Sequence, residues 1–155
     1  LFNTVLMPER VSVHVAAGLD LPLPESAISQ AVAAVMNRQH VLDGDISITF
    51  LDDAEMARLN REHLSHDGPT DVISFPLSTP DNPIVGDVYV GLDRAIAQAA
   101  GLGIDPREEV LRLAVHGTLH VLGHEHPEDG TREDSEMYRI QEDLLLELMD
   151  SMRLE

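Results

Sequence analysis

The chain has 155 residues, with 28 acidic side chains against ten basic ones, all arginine, giving a formal net charge of −18. Its 43% hydrophobic content is ordinary for a globular protein, so a disordered acidic tail is excluded, and the length suits one domain with its own core. The absence of cysteine excludes disulfides, thiolate zinc sites and cysteine nucleophiles, and the acidity argues against broad, lysine-driven nucleic-acid binding.

No run approaches the roughly 18–20 apolar residues of a membrane span. The opening residues lack a basic segment followed by a long apolar one, so a soluble cytoplasmic protein is expected. Residues 11–15 alternate apolar and polar side chains, the period of a half-buried strand. Ile28, Val32, Val35 and Met36 then fall at helical spacing over residues 27–36. Residues 46–50 alternate again and predict a second strand. Asp52 and Glu55 have the form of a capping box, opening a helix through about Leu64. Residues 63–69 read as a loop, and residues 72–75 and 85–90 as two further strands around a Pro/Asn turn.

Asp93 is placed to cap a helix through Ala100. The clearest helix start is Asp105-Pro106-Arg107-Glu108, with an acid at the cap, proline at the first helical position and glutamate at the third. That helix runs through Val110, Leu111, Ala114, Val115, Leu119 and Leu122, with Gly123 placed to stop it. Thr131 to Asp134 resembles another cap, opening a last amphipathic helix with Met137, Ile140, Leu144, Leu145 and Leu148. Four short strands and about five helices make an α+β single domain with one small mixed sheet.

The chemistry concentrates in the helix after Asp105. Eight histidines occur in the chain, and His116, His120, His124 and His126 fall within eleven positions. His116 and His120 are four apart, so both imidazoles leave the same helix face one turn apart, a bidentate site for a zinc-like ion. A left-handed residue at Gly123 reverses the chain and swings a third imidazole back over the first two, from His124 or His126. The run His116-Gly117-x-x-His120-x-x-Gly123-x-x-His126 has the metzincin spacing, with glycine in place of the catalytic glutamate. Three-histidine metal binding is kept, and the general base of a metalloprotease is missing. Zinc, nickel and copper all suit three imidazoles. His14, His40, His63 and His66 read as surface or loop residues.

The segment His116-Gly117-Thr118-Leu119-His120-Val121-Leu122-Gly123-His124-Glu125-His126 resembles the signature of the YbeY family of bacterial rRNA maturation factors. Gly68-Pro69-Thr70-Asp71-Val72-Ile73-Ser74-Phe75-Pro76 and Gly86-Asp87-Val88-Tyr89-Val90 are similar to two further blocks of that family, in the same order. Leu59-Asn60 and Gln98-Ala99 fall at weaker family positions. The resemblance implies a metal-dependent endoribonuclease directed at single strands, acting in small-subunit (16S) rRNA maturation and ribosome quality control. It implies one Zn2+ held by His116, His120 and His126, a single domain over residues 1–155, and partners among ribosomal RNA and the small ribosomal subunit; the acidic charge adds a basic ribosomal protein as a further expected partner.

Two departures stand out. His124 replaces a usual tyrosine and is a second possible ligand. Leu64 stands where many members carry an arginine suited to gripping phosphate. Arg61, one turn earlier, either substitutes for it or is a solvated helix residue. With glycine at 117, Glu125 and His124 are the nearest proton carriers, and an RNA 2′-hydroxyl is another route to cleavage. Thr70, Asp71, Ser74 and Asp87 either shape a groove wall or only serve the fold. The alternatives are a zincin-like metalloprotease or hydrolase, opposed by Gly117, and a non-catalytic assembly factor with a structural metal. The last third of the chain holds fourteen of the 28 acids, among them Glu108, Glu109, Glu128, Asp129, Glu133, Asp134, Glu136, Glu142 and Asp143, expected to form mostly a solvated face. RNA contact is then either confined to a metal-centred groove with a few arginines or delivered by a basic ribosomal partner.

Overall fold

A computed structural model describes residues 10–64, 70–126, 131 and 135–154. The elements in chain order are β1 (Arg10–Val15), α1 (Glu25–Arg38), β2 (Gly44–Leu51), α2 (Asp53–Leu64), β3 (Val72–Pro76), β4 (Ile84–Gly91), α3 (Leu92–Leu102), α4 (Pro106–Val121) and α5 (Glu136–Ser151). The expected α+β fold is present, a mixed four-stranded sheet with five helices among the described residues. Each predicted strand and helix is found, with ends shifted by one to a few residues. The sheet order is β1-β2-β4-β3, with β1/β2 and β2/β4 parallel and β3/β4 antiparallel. Parallel neighbours need long crossovers, which α1 supplies between β1 and β2, and α2 with β3 between β2 and β4.

Strand alternation divides the sheet into two unequal faces. Ile46, Ile48 and Phe50 of β2 and Val88 and Val90 of β4 are wholly buried in the main core, with α1, α4 and α5. Burying side chains of this size contributes about 1.5–3 kcal/mol each. The other face carries a smaller cluster, in which Met56 and Leu59 of α2 pack with Ile73 beside Leu51, Phe75 and Tyr89.

Helix α4 passes through the centre of the domain and packs against α1, α3, α5, β3 and β4. Its start follows the sequence signal: Asp105 accepts from the Arg107 backbone N–H at 2.9 Å, and Pro106 is the first helical residue. Side-chain and backbone hydrogen bonds from Arg107 hold the Asp105 carboxyl below its ordinary value. Glu108 does not complete a capping box, because its carboxylate pairs with Arg112 at 2.9 Å. Asp52 caps α2 as expected, accepting from the Glu55 N–H at 2.9 Å.

Two caps differ from expectation. Helix α3 begins at Leu92 after Gly91, with no side-chain cap, and Asp93 instead accepts from the Asp53 N–H at 3.2 Å, at the start of α2. Asp93 already lies in the first turn of its own helix, so its carboxylate reaches a neighbouring one. The cap of α5 is Ser135, which accepts from the Tyr138 N–H at 3.2 Å; Thr131 lies four residues too early, and residues 132–134 lie outside the described residues.

Close approach of α4 to the sheet depends on two glycines. A Cβ on Gly117 would stand 2.4 Å from Val88 Cγ1 and 3.0 Å from Val72 Cγ2. A Cβ on Gly86 would stand 2.3 Å from Val121 Cγ1. The helix thus lacks a side chain where the sheet has a valine, and the sheet lacks one where the helix has a valine. Ser74 ties the contact by donating its hydroxyl to the Gly117 carbonyl at 2.8 Å.

Candidate metal centre

With Gly117 and Val121 turned to the sheet, His116 and His120 project from another side of α4, His116 into a cleft lined from α3, α5 and the residue before β3, and His120 beside it. His116 is buried and His120 half-buried. The helix ends in a Schellman turn: Gly123 adopts φ +97°, its N–H donates to the His120 carbonyl, and the His124 N–H donates to the Leu119 carbonyl, each at 3.0 Å. This reversal carries the chain back over the last helical turn and delivers His126 to the other two. Ring centroids of His126 lie 5.2 Å from His116 and 5.1 Å from His120. The three residues each offer a ring nitrogen, all within 4.8 Å of one another.

His124, the rival third ligand, is turned elsewhere. Its Nε2 lies 2.5 Å from Gln39 Oε1 just past α1, and its backbone carbonyl faces His120 Nδ1 at 2.9 Å. A carbonyl oxygen only accepts, so His120 Nδ1 carries the proton, and in the neutral ring Nε2 carries the lone pair. That Nε2 sits 3.1 Å from His116 Nε2. Nitrogens bound to one tetrahedral zinc at ~2.0–2.1 Å stand about 3.3 Å apart, so the donor set fits a zinc-like ion.

The cleft beside the triad has a volume of about 270 Å³ and is lined in part by Asp71, Gln98, Arg112, Tyr138 and Gln141. Asp71 of the second sequence block therefore reaches the cleft, while Ser74 serves the helix–sheet contact. Glu125 and Arg61 are both exposed, and neither lines this cleft. Leu64, at the usual arginine position, is also exposed. His14, His40 and His63 are exposed as expected; His66, Gly68 and Pro69 lie outside the described residues.

Behind the histidines lies an ion-pair network built from acids whose helix positions predict a solvated face. Glu109 is buried, and Glu108 and Glu142 are half-buried. All three hold Arg112: Nη1 donates to Glu109 at 2.6 Å, Nη2 to Glu108 at 2.9 Å, and Nε to Glu142 at 2.9 Å. Burial works to lower the Arg112 guanidinium, and the hydrogen bonds to Glu142, Glu109 and Glu108 outweigh it and hold it above its ordinary value. Burial likewise works to raise Glu142, and its bonds from Arg112 and Gln141 leave it lowered. One signal in the sequence pointed this way: Gln141 interrupts the apolar stripe of α5 between Met137 and Leu145, and it is 4% exposed. Glu136 and Asp143 are exposed as expected, whereas Glu128, Asp129, Glu133 and Asp134 lie outside the described residues.

The solution structure of TM1509 from Thermotoga maritima superposes with a TM-score of 0.65, covering 92% of this chain and 91% of that one at 21% identity, which establishes the fold. The family model described as endoribonuclease YbeY matches residues 20–149. Endoribonuclease YbeY of Persephonella marina is 34% identical over 129 residues, covering 81% of this chain and 84% of that protein. Endoribonuclease YbeY of Carboxydothermus hydrogenoformans is 40% identical over 120 residues, covering 77% and 81%. The chain belongs to the endoribonuclease YbeY family.

Proposed function

We propose that this protein is a metal-dependent endoribonuclease that cuts single-stranded RNA, acting in small-subunit rRNA maturation and ribosome quality control. The observation that carries the reading is the convergence of His116, His120 and His126 at the cleft, in a chain that matches the endoribonuclease family over most of its length. Zn2+ is the ion we assign, held by these three imidazoles. When bound, it would polarise a phosphoryl oxygen and lower the pKa of water toward ~7.

The protein's own residues set the rest. His120 and His116 keep their Nδ1 atoms engaged with acceptors, so their Nε2 atoms are the ones presented to the cleft. Asp71 and Tyr138 line the cleft and are among the polar groups a nucleotide bound there would meet. A pocket of about 270 Å³ admits a phosphate or one unstacked base, which suits splayed single strands better than a stiff duplex. Arg61 and Glu125, being exposed outside the cleft, are kept as candidates for contacts along the flanking strand rather than at the reacting phosphate. The metalloprotease alternative is weakened further by packing: a glutamate at 117 would have to pass through Val88 and Val72.

With an acidic surface, ribosomal contact is best served by the small subunit's basic proteins. A cytoplasmic location accords with this, and no helix among the described residues is long and apolar enough to cross a membrane. The test is cleavage of a single-stranded RNA by wild type, by wild type treated with EDTA, and by His116→Ala. Cleavage is expected only in the untreated wild type. Equal rates in all three would overturn the metal mechanism.

A further inference from the structure

We propose that Gln141 is a positioning residue for the metal centre: held by the Arg112–Glu142 pair, it fixes the proton of His116 on Nδ1 and turns the Nε2 lone pair toward the other two histidines. The proposal rests on the reading of the triad as a metal site.

The direction of every hydrogen bond in this relay is dictated by what each group is able to donate. Arg112 has only donors, and it grips Glu142 with two of them, Nε at 2.9 Å and Nη2 at 3.2 Å. Glu142 has only acceptors, so the atom of Gln141 that stands 2.9 Å from its Oε2 must be the amide nitrogen. That choice places the amide oxygen of Gln141 on the opposite side, 2.6 Å from His116 Nδ1. An amide oxygen accepts only, so Nδ1 carries the proton and Nε2 is left with its lone pair. Turning the amide over would set its oxygen against the Glu142 carboxylate oxygen and offer His116 Nδ1 a donor in place of an acceptor.

Arg112 is itself fixed from two further directions, by Glu108 and Glu109, and Glu109 receives the Gln98 amide at 2.8 Å from α3. Three helices thus converge on the orientation of one buried amide. His120 reaches the same proton arrangement differently, through the main-chain carbonyl of His124. The two ligands on α4 therefore have separate devices, and the one behind His116 is made of side chains that substitution can remove singly. Residues that orient metal-binding imidazoles in this way change metal affinity by about 10–100-fold when altered.

The test uses the full chain. With the metal removed and at pH 8, long-range 1H–15N spectra of wild type should show His116 as the Nδ1–H tautomer; an Nε2–H tautomer would overturn the proposal without any mutation. Gln141→Met keeps the volume and removes both hydrogen bonds. It should weaken zinc binding about 10–100-fold in competition with a chromophoric chelator, while His116 populates the Nε2–H tautomer. Wild-type zinc affinity and an unchanged tautomer in that variant would overturn the relay. If Gln141→Met does not fold, Glu142→Gln frees the amide to turn and should reproduce both changes, more weakly; no change in either overturns the proposal. Failure of the underlying reading is separate: wild type that binds no zinc refutes the metal site, whereas wild type that binds zinc as tightly as both variants refutes only the relay.

Discussion

Helix α4 has two working sides, and they are specified by opposite means. The side against the sheet is defined by missing volume: Gly117 receives Val88 and Val72, and Gly86 of β4 receives Val121. The side against the cleft is defined by donor atoms: His116 and His120, with His126 returned to them by the turn at Gly123. Substitutions on the first side act on the fold and reach the site only through it. On the proposed reading, substitutions on the second act on the metal and should leave much of the fold intact. The contrast also accounts for the departure from the metzincin pattern. Position 117 belongs to the packing side, so a glutamate there has no room, and any proton carrier must come from another position.

The sharpest way to break this division is His120→Ala. RNA cleavage should fall by at least about 10³-fold, equivalent to about 4 kcal/mol of barrier, measured on a single-stranded substrate at saturating zinc. The metal-free fold should lose less than about 2 kcal/mol in urea unfolding, since the ring removed is half-buried and its contacts to the His124 carbonyl and the His116 ring are local to the triad. A collapse of the metal-free fold would refute the separation of the two sides.

Next in size is Gly117→Ala, which forces a methyl into a 2.4 Å gap from Val88 Cγ1. Overpacking of this kind costs about 1–3 kcal/mol, and the expected readout is a lower urea midpoint with cleavage per folded molecule reduced only as far as α4 shifts. Gly86→Ala should cost a similar amount, and the double variant Gly86→Ala/Val121→Ala should recover at least about 1 kcal/mol of it, because the colliding methyls are gone. Additive destabilisation in the double variant would show that the two residues do not share one gap.

The smallest effect expected is on acid stability. Glu142 is lowered below its ordinary value of 4.5, so its contribution to the fold is complete above that value and is lost as the pH falls through the depressed one. In metal-free protein, Glu142→Gln should flatten the fall of stability below pH 4.5, by less than about 1 kcal/mol. The check is urea unfolding at a series of pH values from neutrality downward. An unchanged slope would mean that Arg112 is held by Glu108 and Glu109 alone.

Much of the fold was legible because its signals are local. Alternation marked β2 and β4, the Asp105-Pro106 start marked α4, and Gly123 marked its end. The errors arose where a side chain reaches across elements. Asp93 has the form of a cap for α3 and caps α2 instead; Glu109 and Glu142 look like solvated helix charges, yet Arg112 gathers them into a half-buried network. Periodicity in one helix says which residues share a face, and says nothing of what the neighbouring helix places opposite them.

The amino-acid sequence by itself determined the α+β class, the metal helix and the pairing of His116 with His120, since helical spacing alone puts those two imidazoles one turn apart. Tertiary structure alone decided between His124 and His126. Both lie beyond the left-handed turn, and it is His126 that joins the pair while the His124 ring meets Gln39, next to α1. It also decided why position 117 is glycine and which atoms stand behind His116. Those are contacts between residues distant in the chain, set by how closely α4 settles on β3, β4 and α5, and no local pattern encodes that distance.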